Sequence, residues 1–153
     1  MRNFLNPNVK IGTAEISDLA TILLNEKNAY TIPWSENSIE ECFNGNYHIF
    51  VLRFDHEIIG HMIIQHVLDE IHLHNVCIIP AFQNHGLGLM WLEYLKNFAQ
   101  EYCAKSVILE VRESNLRAIG IYLEFGFKQI GFRKDYYQTA DGREHGLVME
   151  WIV

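Results

Sequence analysis

The stretch "PAFQNHGLGLMW", Pro80 to Trp91, limits the possible folds more than any other segment. It follows the apolar run "EIHLHNVCII", which reads as a strand. It opens a helical pattern in which Leu87, Met90, Leu92, Leu95, Phe98 and Ala99 trace one side from Gly86 to Tyr102. Two glycines, Gly86 and Gly88, stand at the change of period. A strand running into a glycine-rich turn at a helix start leaves several backbone N–H groups unpaired, with the positive end of the helix dipole behind them. Such a place binds phosphate. Spacing excludes two common versions: no G-x-x-x-x-G-K-S/T run occurs, and Trp91 stands where a dinucleotide fold needs its third small residue. What remains is Gln83-x-x-Gly86-x-Gly88 preceded by Pro80. A bare turn that only lets strand and helix pack closely is the plain structural alternative.

The rest of the chain supplies the elements around that junction. "VKIGTAE" reads as a strand turning at Gly12, with Thr13 as N-cap of a helix through "EISDLATILLNEKNAY", whose Ile16, Leu19, Ala20, Leu23 and Leu24 recur at helical spacing. "TIPWS" breaks it, and Ser35 caps a shorter helix, "ENSIEECF", stopped by Gly45. "YHIFVLRF" and "EIIGHMIIQHV" form a hairpin about "DHE". "SVILEVR" is a near-continuous apolar strand, expected to be buried on both faces. Asn115 to Phe125 is a helix closed by Gly126, and "FKQIGFRKDYYQ" and "EHGLVMEWIV" are strands joined through Asp141-Gly142. The expected class is α/β, a mixed sheet with helices on its faces, in one domain over residues 1–153 without repeat or linker.

Composition narrows the function. With 153 residues, 49% of them hydrophobic and 20% charged, the chain suits a folded domain with a real core. The N-terminal "MRNFLNPNVK" lacks a signal-peptide layout and no apolar run is long enough to span a bilayer, so a cytoplasmic protein without membrane contact is expected. Cys42, Cys77 and Cys103 show no C-x-x-C spacing, which fits reduced thiols. Eight histidines invite a metal reading, and His72 and His74 share a strand face, but no ligand set is complete in the sequence, so no metal is expected. The net charge of −7 argues against direct nucleic-acid binding and suits a basic partner.

The pattern Gln83-x-x-Gly86-x-Gly88 resembles the acetyl-CoA loop of the GCN5-related N-acetyltransferase (GNAT) superfamily. The element order is similar to theirs across essentially the whole chain. "LEVRESNLRAIGIYLEFGF", Leu109 to Phe127, looks like the later motif of that superfamily, with Asn115 at a helix start and Tyr122, Gly126 and Phe127 at its end. "IPWSENS", "LEVRESN" and "RKDYYQTADGREHGLVME" look more narrowly like the ribosomal-protein-alanine N-acetyltransferases, the RimI type. The resemblance implies a GNAT fold, with a central, mostly antiparallel sheet and helices on both faces. It implies transfer of acetyl from acetyl-CoA to the α-amino group of an N-terminal alanine of a small-subunit ribosomal protein.

By the same resemblance Glu110 corresponds to the general base and Tyr122 to the general acid that protonates the departing CoA thiolate. The plain alternatives are a strand carboxylate paired to Arg112 and a core tyrosine with its hydroxyl at the rim. A peptide α-amine near pKa 7.8 costs about 1 kcal/mol to deprotonate at pH 7, a lysine about 4.6. A single carboxylate therefore suffices for direct attack, and Cys77 or Cys103 as acetyl carrier is the lesser route. Backbone groups of Val76, Cys77 and Ile78 are expected to pair with the pantetheine amides, the turn of Asn84, His85, Gly86, Leu87, Gly88 and Leu89 to hold the diphosphate, and Asn115 to bond the cofactor near its reactive end. Relatives often carry Arg or Lys at the positions of Asn84 and Leu89. This chain has neither between Gln83 and Glu93, so acetyl-CoA binding is expected to be weaker and less salt-sensitive. Trp34, Tyr136 and Tyr137 are candidates for lining the peptide groove, with neighbouring carboxylates attracting a basic N-terminal tail. Trp34 as a core plug, and the two tyrosines on opposite strand faces, are the structural alternatives. A small-molecule amine or a lysine as acceptor, and an acyl-CoA-binding module without turnover, remain competing functions.

Overall fold

A computed structural model describes residues 8–153. The segment on which the absence of a signal peptide was read lies largely outside the described residues. Seven strands form one sheet in the order β1-β2-β3-β4-β5-β7-β6, where β1 is Val9–Thr13, β2 His48–Phe54, β3 Glu57–Val67, β4 Glu70–Ile78, β5 Ser106–Arg112, β6 Lys128–Gln138 and β7 Arg143–Ile152. The four α-helices are α1 Leu19–Ala29, α2 Glu36–Asn44, α3 Leu87–Glu101 and α4 Leu116–Phe125. The β4–β5 pair is parallel, running from Glu70↔Ser106 to Leu73↔Leu109. The β1–β2, β2–β3, β5–β7 and β6–β7 pairs are antiparallel. This is the mixed, mostly antiparallel sheet that the pattern predicts. Among the described residues no helix is long and apolar enough to cross a membrane.

The chain divides into two compact units. Residues 8–65 with His74–Met90 make the first. Its core gathers Ile22 of α1, Ile39 and Cys42 of α2, and Ile49, Val51 and Ile63 of β2 and β3, with Trp34 packed at the margin. The β2–β3 hairpin turns at Asp55 and His56, both in the left-handed region at φ 47° and 77°, the twist that matches two-residue hairpin turns. Ser35 caps α2 as expected, its Oγ accepting from the Ser38 N–H at 3.1 Å. Two local expectations fail. Gly12 lies inside β1, opposite Val51, and the chain reaches α1 through a short 3-10 turn, Ile16–Asp18. Glu15, not Thr13, sits at the start of that turn, and its backbone N–H donates to Asp18 Oδ2 at 2.9 Å. The leucine stripe of α1 is only partly the buried face: Leu19 and Leu23 pack against the core, half-buried. Ile22, Asn25 and Glu26 are buried while Ile16 and Leu24 are exposed, because polar partners inside the unit satisfy Asn25 and Glu26.

Residues His66–Leu73 with Trp91–Val153 make the second unit. From α3 it buries Trp91, Leu92, Leu95, Phe98 and Ala99. Strand β5 does not bury both faces: Val107, Leu109 and Val111 are buried, whereas Ile108, Glu110 and Arg112 alternate with them as half-buried residues. That alternation turns Glu110 out of the core. Asn115 caps α4, its Oδ1 accepting from the Ala118 N–H at 3.3 Å, and Gly126 closes it at φ 120°.

Candidate active site

Glu110 is the first β5 residue beyond the parallel ladder, which ends at Leu109. Its carboxylate is not paired with Arg112. Instead Arg133 of β6 donates Nε–H to Oε1 at 2.9 Å, and the Tyr136 hydroxyl donates to the same carboxylate. That bond to Glu110, followed by burial, raises the Tyr136 phenol above its usual value. Arg112 serves a different carboxylate. Its Nη1 donates to the Gln138 carbonyl at 2.8 Å and reaches Glu144 Oε2 at 3.5 Å, while its Cζ lies 4.6 Å from the Tyr137 ring centre. Ser114 completes that second cluster, its hydroxyl donating to Glu144 Oε1 at 2.6 Å. Ser114 and Arg112 together hold the Glu144 carboxyl below its ordinary range.

Strand alternation would put Tyr136 and Tyr137 on opposite faces, yet the phenols of both are raised in part by the charge of Glu110. A bulge is the reason. Arg133 pairs with Gly146 and Tyr137 with Glu144, so four steps along β6 answer two along β7. Asp135 takes up the slack at φ 48°, its N–H donating to His145 Nδ1 at 2.9 Å. The two tyrosine rings lie 5.0 Å apart at 82°. Gly146 makes room beneath them, since a Cβ there would stand 2.9 Å from Tyr137 Cε2. The Tyr137 phenol is pushed up, first by burial and then by the negative charge of Glu110. Behind it Tyr122 of α4 is buried against Phe127 at a ring distance of 5.5 Å, and burial raises its phenol to about 12. A phenol so placed stays protonated throughout neutral pH.

The first unit holds the glycine turn. After Pro80–Phe82 the backbone passes through the left-handed region at Asn84, φ 68°, and again at Gly86, φ 82°. Helix α3 begins at Leu87, and the Met90 N–H donates back to the Gly86 carbonyl at 3.2 Å. The N–H groups of the first turn before Met90 thus lack intrahelical acceptors, as in every α-helix start. Asn84 and His85 are exposed. The strand edge is less open than expected. The Tyr30 hydroxyl donates to the Val76 carbonyl, and Gln83 Nε2 donates to the Ile78 carbonyl at 2.9 Å. Two carbonyls assigned to pantetheine amides are therefore engaged within the protein. Asn115 likewise spends its carboxamide oxygen on capping α4, which leaves its NH2 group as the donor for a ligand.

The same unit contains a buried polar network that the sequence concealed. Glu26 accepts three hydrogen bonds: from His61 Nε2 at 3.0 Å, from Asn75 Nδ2 at 3.1 Å and from the Trp34 backbone N–H at 3.2 Å. Trp34 is thus fixed to α1 and packed on the core, in agreement with the plug reading. The expectation that no metal-ligand set is complete needs correction, because the fold brings Glu26, His61 and Cys77 ligand atoms within 4.8 Å of one another. Both Glu26 oxygens are already taken, so these residues act as a hydrogen-bonded network. The Cys77 thiol is buried and raised well above the ordinary thiol range by burial first and Glu26 second, which suits inert packing and not an acyl carrier. His72 and His74 each have partners of their own, Glu70 Oε2 at 2.9 Å and Gln65 Oε1 at 3.2 Å. Buried Asn25 and Glu26, three and four residues after Ile22 on one helix face, are the signal that sequence reading passed over.

This fold, with a glycine turn leading into α3 and a tyrosine-flanked carboxylate on β5, matches the profile of the Acetyltransferase (GNAT) family over residues 16–127, and the chain belongs to that family of acyltransferases. It is 35% identical to the ribosomal protein bS18-alanine N-acetyltransferase of Escherichia coli strain K12 over 139 residues, 91% of this chain and 94% of that protein. The protein of the same name from Haemophilus influenzae is 35% identical over 140 residues, covering 91% and 95% of the two chains. The crystal structure of the ribosomal-protein-S18-alanine N-acetyltransferase from Escherichia coli superposes with a TM-score of 0.90 at 34% identity, covering 95% of this chain and 94% of that one.

Proposed function

We propose that residues 1–153 form one N-acetyltransferase domain that moves the acetyl group of acetyl-CoA onto the α-amino group of an N-terminal alanine of a small-subunit ribosomal protein. The observation that carries this reading is Glu110, a half-buried carboxylate on β5 held by a cation and a phenol from β6, with the raised phenol of Tyr137 within range of its charge. Likeness to relatives named for this activity along nine-tenths of the chain supports the choice of acceptor.

In this reading Glu110 accepts the proton of the incoming ammonium, directly or through water, and Tyr122 donates to the leaving sulfur. The free N–H groups at the start of α3, with Asn84, His85, Gly86, Leu87, Gly88 and Leu89, hold the diphosphate of acetyl-CoA through the helix dipole and backbone donors, without a basic side chain. The carbonyls of Val76 and Ile78 are already engaged, so the strand edge at Val76, Cys77 and Ile78 binds the pantetheine chiefly through other groups or after Tyr30 and Gln83 let go. Asn115 donates its NH2 near the thioester. Acetyl-CoA supplies the activated acyl carbon; every proton movement falls to this chain's residues. Tyr136 and Tyr137 line the acceptor's path. A basic ribosomal N-terminal tail complements the net charge of −7 and places the reaction in the cytoplasm.

The test is mass spectrometry of ribosomal proteins from cells lacking the gene. One lost N-terminal acetyl group on a small-subunit protein supports the reading; an unchanged set of termini, with CoA release from small amines in vitro, moves the acceptor to another class.

A further inference from the structure

The polar groups that face Glu110 come from one strand. Arg133 and Tyr136 both belong to β6 and converge on the carboxylate, on the strand segment that carries the bulge between Arg133 and Tyr137. On β7 the residue opposite Glu110 is Val148, which offers no polar side chain. On β5 the neighbouring cation, Arg112, is turned to Gln138, Glu144 and the Tyr137 ring. Arg133 is itself supported: its guanidinium carbon lies 5.4 Å from the centre of the Tyr136 ring, whose hydroxyl reaches the same carboxylate. Arginine and tyrosine thus hold each other while both hold Glu110.

We propose that Arg133 is a positioning residue for acetyl transfer: stacked on Tyr136 and bonded to Oε1, it fixes the rotamer of Glu110 so that the remaining lone pairs face the acceptor's amine. The inference rests on the reading of Glu110 as the base. A carboxylate offers about four lone-pair sites on two oxygens, and a guanidinium bonded through Nε leaves the others free. The pair is partly exposed, with Arg133 at 53% and Glu110 at 27%. Ion pairs so exposed contribute little to stability, so breaking it leaves the fold intact. Its effect on rate is larger in kind, because a reacting group about 1 Å out of place can lose on the order of 100-fold. Lysine is not equivalent, since a point charge lacks both the planar fork and the face that lies on Tyr136.

The experiment is steady-state kinetics with acetyl-CoA and a basic peptide that begins with alanine, on the full-length protein and its Glu110→Gln, Arg133→Ala and Arg133→Lys variants. Arg133→Ala is expected to lower kcat about 10-fold or more, with the KM for acetyl-CoA and the melting temperature unchanged. Added guanidinium recovers part of the rate, and Arg133→Lys recovers less than native arginine gives. An Arg133→Ala enzyme with native kcat overturns the proposal. So does a lower peptide KM at constant kcat, which would make Arg133 a cation that the acceptor displaces. Glu110→Gln separates the two levels: if it keeps full turnover, the base reading falls and this inference with it; if it is inactive while Arg133→Ala is normal, the inference alone falls.

Discussion

Two glutamates in this protein carry the same carboxylate and have opposite surroundings. Glu26, on α1 in the first unit, is 2% exposed and accepts from an imidazole, an amide and a backbone N–H, three of its about four lone-pair sites. Glu110, on β5 in the second unit, is approached, among the described residues, by donors of β6 alone and remains 27% exposed. A buried carboxylate with three donors ties elements together; one with fewer donors at a half-open position has lone pairs that a substrate can reach. The contrast turns on the number of donors, and burial matters because unmet hydrogen bonds cost most where water is absent. Substitutions at each should therefore move different observables.

The largest effect is expected at Glu110. Glu110→Gln keeps the shape and removes the proton acceptor, lowering kcat/KM about 10²- to 10⁴-fold while the melting temperature holds; CoA-release kinetics beside calorimetry read both. Glu26→Ala reverses the pattern. It strands three buried donors and is expected to cost about 3–5 kcal/mol of stability, seen as a lower denaturant midpoint. Similar stability losses at the two glutamates would break the comparison.

Tyr122→Phe comes next, with a fall in kcat of about 10-fold or more from loss of the donor and little change in melting at neutral pH. Its linkage has a definite sign. Burial raises the folded-state phenol from 10.0 to about 12, so the contribution of Tyr122 is full below pH 10 and disappears as pH rises through about 12. The phenylalanine variant is expected to lose less stability than the native chain across that alkaline window in pH-dependent unfolding. The smallest effect is expected at Asn84. Asn84→Arg adds one cation to the glycine turn and should tighten acetyl-CoA binding several-fold at low salt and scarcely at high salt, measured by calorimetry. No gain at low salt would mean that the turn does not hold the diphosphate.

Local pattern carried most of the architecture. Ser35, Asn115 and Gly126 end helices where the sequence says they do, because caps depend on a few adjacent residues. The failures share a cause. Thr13 as a cap, the leucine face of α1 and the doubly buried β5 were inferred from local hydrophobic pattern, while the fold chose by contacts distant in sequence. Arg133 and Glu110 are 23 residues apart, and Glu26 and His61 are 35 apart, separations that no helical or strand period reports. Arg133 was hidden further by the bulge, which suspends the alternation that a strand reading assumes. Gly146, a glycine within a strand, was the one visible sign that rings pass close there.

By itself the sequence determined the order of elements, the glycine turn at the start of α3 and the two residues, Glu110 and Tyr122, that a family motif marks. These are properties of short segments, where backbone geometry and side-chain period act over one or two turns. Only the tertiary structure decided which glutamate is sealed and which is open, which arginine serves Glu110, and that Tyr136 reaches the same carboxylate. Those choices follow from which distant donors arrive at each carboxylate, and strand register and a bulge set that arrival.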